Sequence, residues 1–201
     1  FNYAELYAKA LGVAVIKVPL NDKLAFDIEA MKKIADEFPG LSIVYLCNPN
    51  NPTATITPAD QIDPWIKAAS ERTLFLLDEA YAEFVTDPRF HSGIELILKQ
   101  HKNVVVTRTF SKIYALAGLR IGYAVAHEEI IAQVEDLLVE LHSIAEKQKF
   151  PNELYTQWIE ILLRPLSTHY DFAENSSHHD GMRLVKRSLK YWDVFKPSPD
   201  T

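Results

Sequence analysis

Cysteine, long apolar runs and clustered positive charge are all scarce in this sequence, and each shortage removes a class of protein. A single cysteine, Cys47, excludes an intrachain disulfide, so the fold does not depend on an oxidising compartment. Its neighbours Val44, Tyr45 and Leu46 mark it as a buried structural thiol rather than a nucleophile. No run is apolar for long enough to span a membrane. The net charge is −6 and the pI about 5.6, and the short basic run Arg183–Lys190 reads as a solvated helix face. Nucleic-acid binding needs clustered Lys and Arg to neutralise phosphate, so that class is set aside. The chain opens on Phe1 in a helical pattern, without a signal peptide. The expectation is that a segment is missing upstream, which leaves a cytoplasmic location as a default.

What is present is an ordinary globular balance, 48% hydrophobic and 24% charged over 201 residues. That length suits one large domain, or one domain with an appendage. Strand and helix patterns alternate. Val13–Val18 is a β-branched run, and Ser42–Cys47, Thr73–Asp78, Val104–Thr107 and Leu119–Ala126 are apolar strands. Asp27 caps a helix carrying Ile28, Met31, Ile34 and Phe38. A second helix lies around Trp65–Ser70, with Pro64 in its first turn. A third spans Glu128–Leu141, with Ile131, Val134, Leu138 and Leu141 on one face. Between the first two apolar strands, Asn48–Pro58 is a loop holding three asparagines and three prolines. Strands that are apolar throughout favour a mainly parallel sheet sandwiched by helices, an α/β fold. After about Ser143 the pattern weakens; Asn152–Leu163 reads as a helix and the rest as irregular.

In parallel sheets ligands bind beyond the carboxyl ends of the strands, and the polar motifs fall there. Lys112 follows an apolar strand, with the hydroxyls of Thr109 and Ser111 before it and Arg120 after Gly118. A lone lysine is usually a solvated surface residue; hydroxyls and an arginine beside it suit an anionic phosphate. Asp78 ends the run Leu74–Leu77. A carboxylate there is partly desolvated and calls for a cationic partner, which a protonated pyridine nitrogen would supply. In that setting Asn51 and Tyr81 read as two hydrogen-bond donors to a phenolic oxygen.

The segments NPNNPT (48–53), DEAYAEF (78–84) and RTFSKIYALAGLRIGY (108–123) resemble the class I/II aminotransferases, fold-type I enzymes dependent on pyridoxal 5′-phosphate (PLP). The likeness is greatest to the histidinol-phosphate aminotransferase group and covers roughly residues 1–140. The resemblance implies that Lys112 is the Schiff-base lysine and general base. It implies that Asp78 partners the pyridine nitrogen, that Tyr81 and Asn51 hold the phenolic oxygen, and that Thr109, Ser111 and Arg120 lie on the phosphate side. It also implies a homodimer acting on a small amino acid or amino-alcohol phosphate and a 2-oxo acid. Two positions depart from the family pattern: Ala54 and Ala115 stand where glycine is usual or common. If either needs a positive φ, alanine there costs roughly a kcal/mol.

These readings divide the chain into a partial PLP-binding large domain, residues 1–142, and a helical or irregular segment, 143–201. Two alternatives stand beside the aminotransferase. One is a PLP-dependent decarboxylase or lyase of the same fold; the other is a non-catalytic fragment serving as a folding or dimerisation module. His178-His179-Asp180 is too irregular in context for a metal site, so none is expected. Glu79 and Glu83 are candidate acid/base carboxylates, with a structural role favoured for Glu83. No substrate-gripping arginine is assigned among Arg164, Arg183 and Arg187.

Overall fold

A computed structural model of the chain describes residues 3–119, 121–137 and 160–162. Helix α1 (Tyr3–Ala10) leads through an irregular segment with two turns to helix α2 (Ile28–Glu37) and strand β1 (Ser42–Cys47). Then follow helix α3 (Ala59–Ala68), strand β2 (Thr73–Asp78), the short helix α4 (Ile94–Leu98), and strands β3 (Val104–Thr109) and β4 (Ile121–Ala126). Residues 128–137 are helical, and a short strand β5 (Glu160–Leu162) closes the described set. The sheet order is β1-β2-β3-β4-β5. All neighbours are parallel except β3 and β4, which are antiparallel. This is the α/β, mainly parallel architecture that the apolar strands indicate. No described helix is long and apolar enough to cross a membrane.

Alternation along the strands selects a core face. Val44, Leu46, Phe75, Leu77, Val104 and Val106 point to one side and form a single buried cluster with Ile28 of α2, Trp65 of α3 and Leu96 of α4. Trp65 meets Phe75 edge-on, with centroids 4.9 Å apart. Each such side chain, fully buried, contributes about 1.5–3 kcal/mol. Helix α2 starts where its cap requires: the Asp27 carboxylate accepts from the Ala30 N–H at 3.0 Å.

Three elements differ from the sequence reading. Val13–Val18 pairs with no described strand and has no regular secondary structure, with Val13 and Ile16 exposed; β-branched residues favour strands only where a partner edge is offered. Helix α3 begins at Ala59, so Pro64 lies inside it rather than in its first turn. The buried face of Ile62, Trp65 and Ile66 keeps the helix continuous despite the N–H that proline lacks. Glu160–Leu162, inside the helix expected over Asn152–Leu163, is a strand paired with β4. Leu138, Leu141 and the remainder of 143–201, with its histidines, arginines and basic run, lie outside the described residues.

Candidate active site

The carboxyl ends of β1 and β2 lie level, with Cys47 opposite Asp78 and Asp78 opposite Thr107 of β3. The loop leaving β1 is closed by its own side chains. Asn48 Nδ2 donates to Thr57 O at 3.0 Å and Asn48 Oδ1 accepts from Thr57 N at 2.9 Å. The Asn48 N–H donates to Asp78 O at 2.9 Å, tying this loop to the end of β2. Within it Asn50 Nδ2 donates to Thr53 Oγ1 at 2.7 Å, and Ala54 takes φ 56° to complete the turn. The loop presents Asn51, whose Nδ2 lies 3.4 Å from the Tyr81 hydroxyl.

Asp78 is half-buried at the strand end. Its Oδ2 accepts from the Tyr45 hydroxyl at 2.8 Å and its Oδ1 from the Ala80 N–H at 3.2 Å. Burial, reinforced by the charge of Asp78, pushes the Tyr45 phenol far above its ordinary range, so it remains a donor. Tyr45 is absent from the sequence-derived set. Its one signal is a polar tip inside an otherwise apolar strand, and its partner is 33 residues away. Cys47 is buried as expected, and its thiol, pushed up by burial and then by Asp78, donates to Pro49 O at 3.3 Å.

Lys112 sits in the turn after β3. Thr109 Oγ1 accepts from the Ser111 N–H at 3.0 Å, and the Lys112 carbonyl accepts from Ala115 N at 2.9 Å. Ala115 adopts φ 55°, the left-handed conformation. The Lys112 ammonium lies 5.1 Å from the centre of the Tyr81 ring. The structure therefore brings Asn51 and Lys112 to Tyr81, which follows Asp78 by three residues on the loop after β2. Ser111 is half-buried beside them, Thr109 shapes the turn, and Arg120 lies outside the described residues.

On the opposite face, Glu79 ties the two ends of the connection between β2 and α4 to strand β3. It is 2% exposed, and its Oε2 accepts from Arg108 Nη2 at 2.7 Å, Arg108 Nε at 3.1 Å and Ser92 Oγ at 2.8 Å. Its Oε1 accepts from Gly93 N at 2.7 Å. A Cβ at Gly93 would fall 2.4 Å from Leu77 Cδ1, so only glycine lets that N–H approach. Arg108 Nη1 also reaches Glu83 at 3.4 Å. Burial works against the Arg108 charge, but the hydrogen bonds and charge of Glu79 more than offset it and hold the guanidinium above its ordinary value. Both glutamates are thus committed to an ion pair.

The donor set suits a planar ligand with a cationic ring nitrogen and an anionic ring oxygen. It offers a half-buried carboxylate, two neutral donors side by side and an exposed amine nearby. Among the described residues no cluster of three or more His, Cys, Asp or Glu could hold a metal ion. His178-His179-Asp180 lies outside them.

Residues 2–150 match the family model for aminotransferase class I and II. A histidinol-phosphate aminotransferase of Brevibacillus brevis is 42% identical over 124 residues, 62% of this chain and 33% of that protein. An aromatic amino acid aminotransferase of Mycolicibacterium vanbaalenii is 40% identical over 140 residues, 69% of this chain and 38% of that protein. Among solved structures, a candidate histidinol-phosphate aminotransferase from Erwinia carotovora atroseptica superposes with TM-score 0.64 at 53% identity, covering 66% of this chain and 38% of that one. The PLP complex of the Sinorhizobium meliloti histidinol-phosphate aminotransferase gives TM-score 0.53 at 32% identity, covering 59% of this chain and 31% of that one. The chain spans about a third of the length of the curated relatives it matches.

Proposed function

The chain belongs to the class I and II aminotransferases, and from that premise we propose that it carries the cofactor-binding part of a PLP-dependent aminotransferase. Asn51, Tyr81 and Lys112, converging beside Asp78 at the carboxyl end of the sheet, carry this reading. PLP, when bound, supplies an electron-withdrawing ring that stabilises the charge left when a substrate Cα–H bond breaks. Lys112 Nζ would anchor the cofactor and, once released by substrate, would act as the general base that takes the proton from Cα and delivers it to the cofactor side rather than back to Cα. Asp78 holds positive charge at the ring nitrogen. The Tyr81 hydroxyl and Asn51 Nδ2 donate to the phenolic oxygen, and Thr109, Ser111 and Arg120 serve the phosphate.

The substrate class proposed is a small amino acid or amino-alcohol phosphate, with a 2-oxo acid as acceptor. The names of the relatives support it, since they include both histidinol-phosphate and aromatic amino acid aminotransferases. A homodimer and a cytoplasmic setting belong to the same reading, the latter because such substrates are soluble metabolites. Residues 1–142 form the cofactor-binding unit in this reading, and 143–201 a further segment whose strand β5 lies along β4. The alternative of a folding or dimerisation module without turnover is separated from this reading by the following test.

The test is to incubate the full chain with PLP, reduce with borohydride and map the modified peptide. A pyridoxyl adduct confined to Lys112 supports the cofactor site. A folded chain with no adduct at Lys112 sinks it and leaves the module.

A further inference from the structure

We propose that Tyr45 is a positioning residue of this site: its hydroxyl, held on Asp78 Oδ2, fixes the carboxylate and its negative charge so that the proton stays on the ring nitrogen of bound PLP. The inference rests on the cofactor reading above and adds to it a residue from within strand β1.

Strand geometry places Tyr45 there. It shares a face of β1 with Cys47, the register partner of Asp78, so its side chain is on the face of Asp78 and its hydroxyl reaches the carboxylate at 2.8 Å. Ala80 N holds the other oxygen at 3.2 Å. Both carboxylate oxygens are thereby engaged, which restrains rotation about the Cβ–Cγ bond. A carboxylate offers about four lone-pair sites, so capacity for a ring N–H donor remains. The other polar group on that face, the Cys47 thiol, donates to Pro49 O and also lies within hydrogen-bonding reach of the Tyr45 hydroxyl, so it is a second, weaker partner beside Asp78.

A phenylalanine would satisfy the apolar demands of β1. The tyrosine hydroxyl is half-buried and needs a partner, and the stronger partner it has is the residue proposed to face the cofactor. The phenol is held protonated by burial and by the neighbouring charge, so it serves as donor and not as a competing anion. A hydrogen bond donated to an ionised carboxylate spreads its charge. Without that bond the charge concentrates on the oxygens facing the ring, and the shared proton moves from nitrogen toward Asp78. No bond to carbon is made or broken; one proton changes position between a nitrogen and an oxygen.

The experiment uses the full chain loaded with PLP labelled with 15N at the ring nitrogen. It compares wild type with Tyr45→Phe by 15N NMR and by PLP titration. The expected result is a protonated-ring signal in wild type that moves toward the neutral-pyridine position in Tyr45→Phe, with affinity for PLP about tenfold weaker. A purely structural tyrosine would leave the nitrogen signal in place. Replacement of Tyr45 by 3-fluorotyrosine keeps the ring and makes the hydroxyl a stronger donor. It is expected to hold the signal fully in the protonated position, and it covers the case in which Tyr45→Phe does not fold. An unchanged signal in Tyr45→Phe, or a 3-fluorotyrosine signal shifted toward neutral pyridine, overturns the inference alone. Absence of bound PLP in wild type overturns the cofactor reading and this inference with it.

Discussion

The face of the sheet toward α2, α3 and α4 is sealed, whereas the face that carries Tyr45 and Asp78 is half open. Leu46, Phe75, Val104 and Val106 are 0% exposed on the first, while Ile43 is 67% exposed on the second and Tyr45, Leu76 and Val105 are only partly covered. Polar groups follow the same division. Among the described residues the sealed side takes Arg108 paired with Glu79 and, more loosely, Glu83, with the Glu79 carboxylate bound by three neighbours. The open side carries the carboxylate and hydroxyl of the proposed cofactor site. Close packing gives stability but leaves no room for a ligand, so one strand can serve both demands only by dividing them between alternate residues.

Predictions that break this comparison begin with Lys112→Ala. The reducible PLP adduct is expected to vanish completely, while stability changes by less than about 0.5 kcal/mol because Lys112 is exposed. Peptide mapping after borohydride and a thermal melt measure the two effects. A melt that collapses with the adduct would mean that Lys112 is structural.

Adjacent residues of β2 test the faces directly. Phe75→Ala is expected to cost about 3–5 kcal/mol by urea denaturation, enough to unfold much of a marginally stable chain. Leu76→Ala, one residue on and half-buried, is expected to cost about 1 kcal/mol. Equal costs would show that the open face is covered in solution. Glu79→Gln falls between them at about 2 kcal/mol, because the partly buried Arg108 loses its shorter ion pair and keeps only Glu83, at 3.4 Å. It is also expected to weaken PLP binding, since the pair ties the loop after β2 to β3.

Local signals in the sequence were sufficient for β1 and β2, whose ends at Cys47 and Asp78 match the apolar runs, and for the Asp27 cap. Motif likeness located Asn51, Tyr81 and Lys112, which the fold then brings within reach of one another. Contacts that depend on register were not legible. Tyr45 meets Asp78 across 33 residues and Arg108 meets Glu79 across 29, and no spacing rule along one strand predicts a partner on the next. Pro64 misled for a related reason: its usual place is a first turn, but the buried face of α3 outweighs that preference. Val13–Val18 has strand propensity and no described neighbour to pair with.

The smallest expected effect lies in the two loops of the open side. Ala54 and Ala115 take φ 56° and 55°, where an L-residue brings its Cβ too close to the following carbonyl. Both are exposed, so their methyl groups contribute little packing to set against that strain. Glycine removes the strain, although it loses more backbone entropy on folding. The balance predicts that Ala54→Gly and Ala115→Gly each stabilise by about 0.5–1 kcal/mol, or roughly 1–4 °C in Tm for a chain of this size. The converse change supplies the control. Gly12 has φ 73° and open space where a Cβ would go, so Gly12→Ala is expected to lower Tm by a similar amount through strain alone. If both Ala→Gly changes lower Tm and Gly12→Ala raises it, the entropy of the unfolded chain rather than the left-handed turns governs stability. The expected signs would locate the strain in the loops that hold Asn51 and Lys112, on the face where packing is weakest.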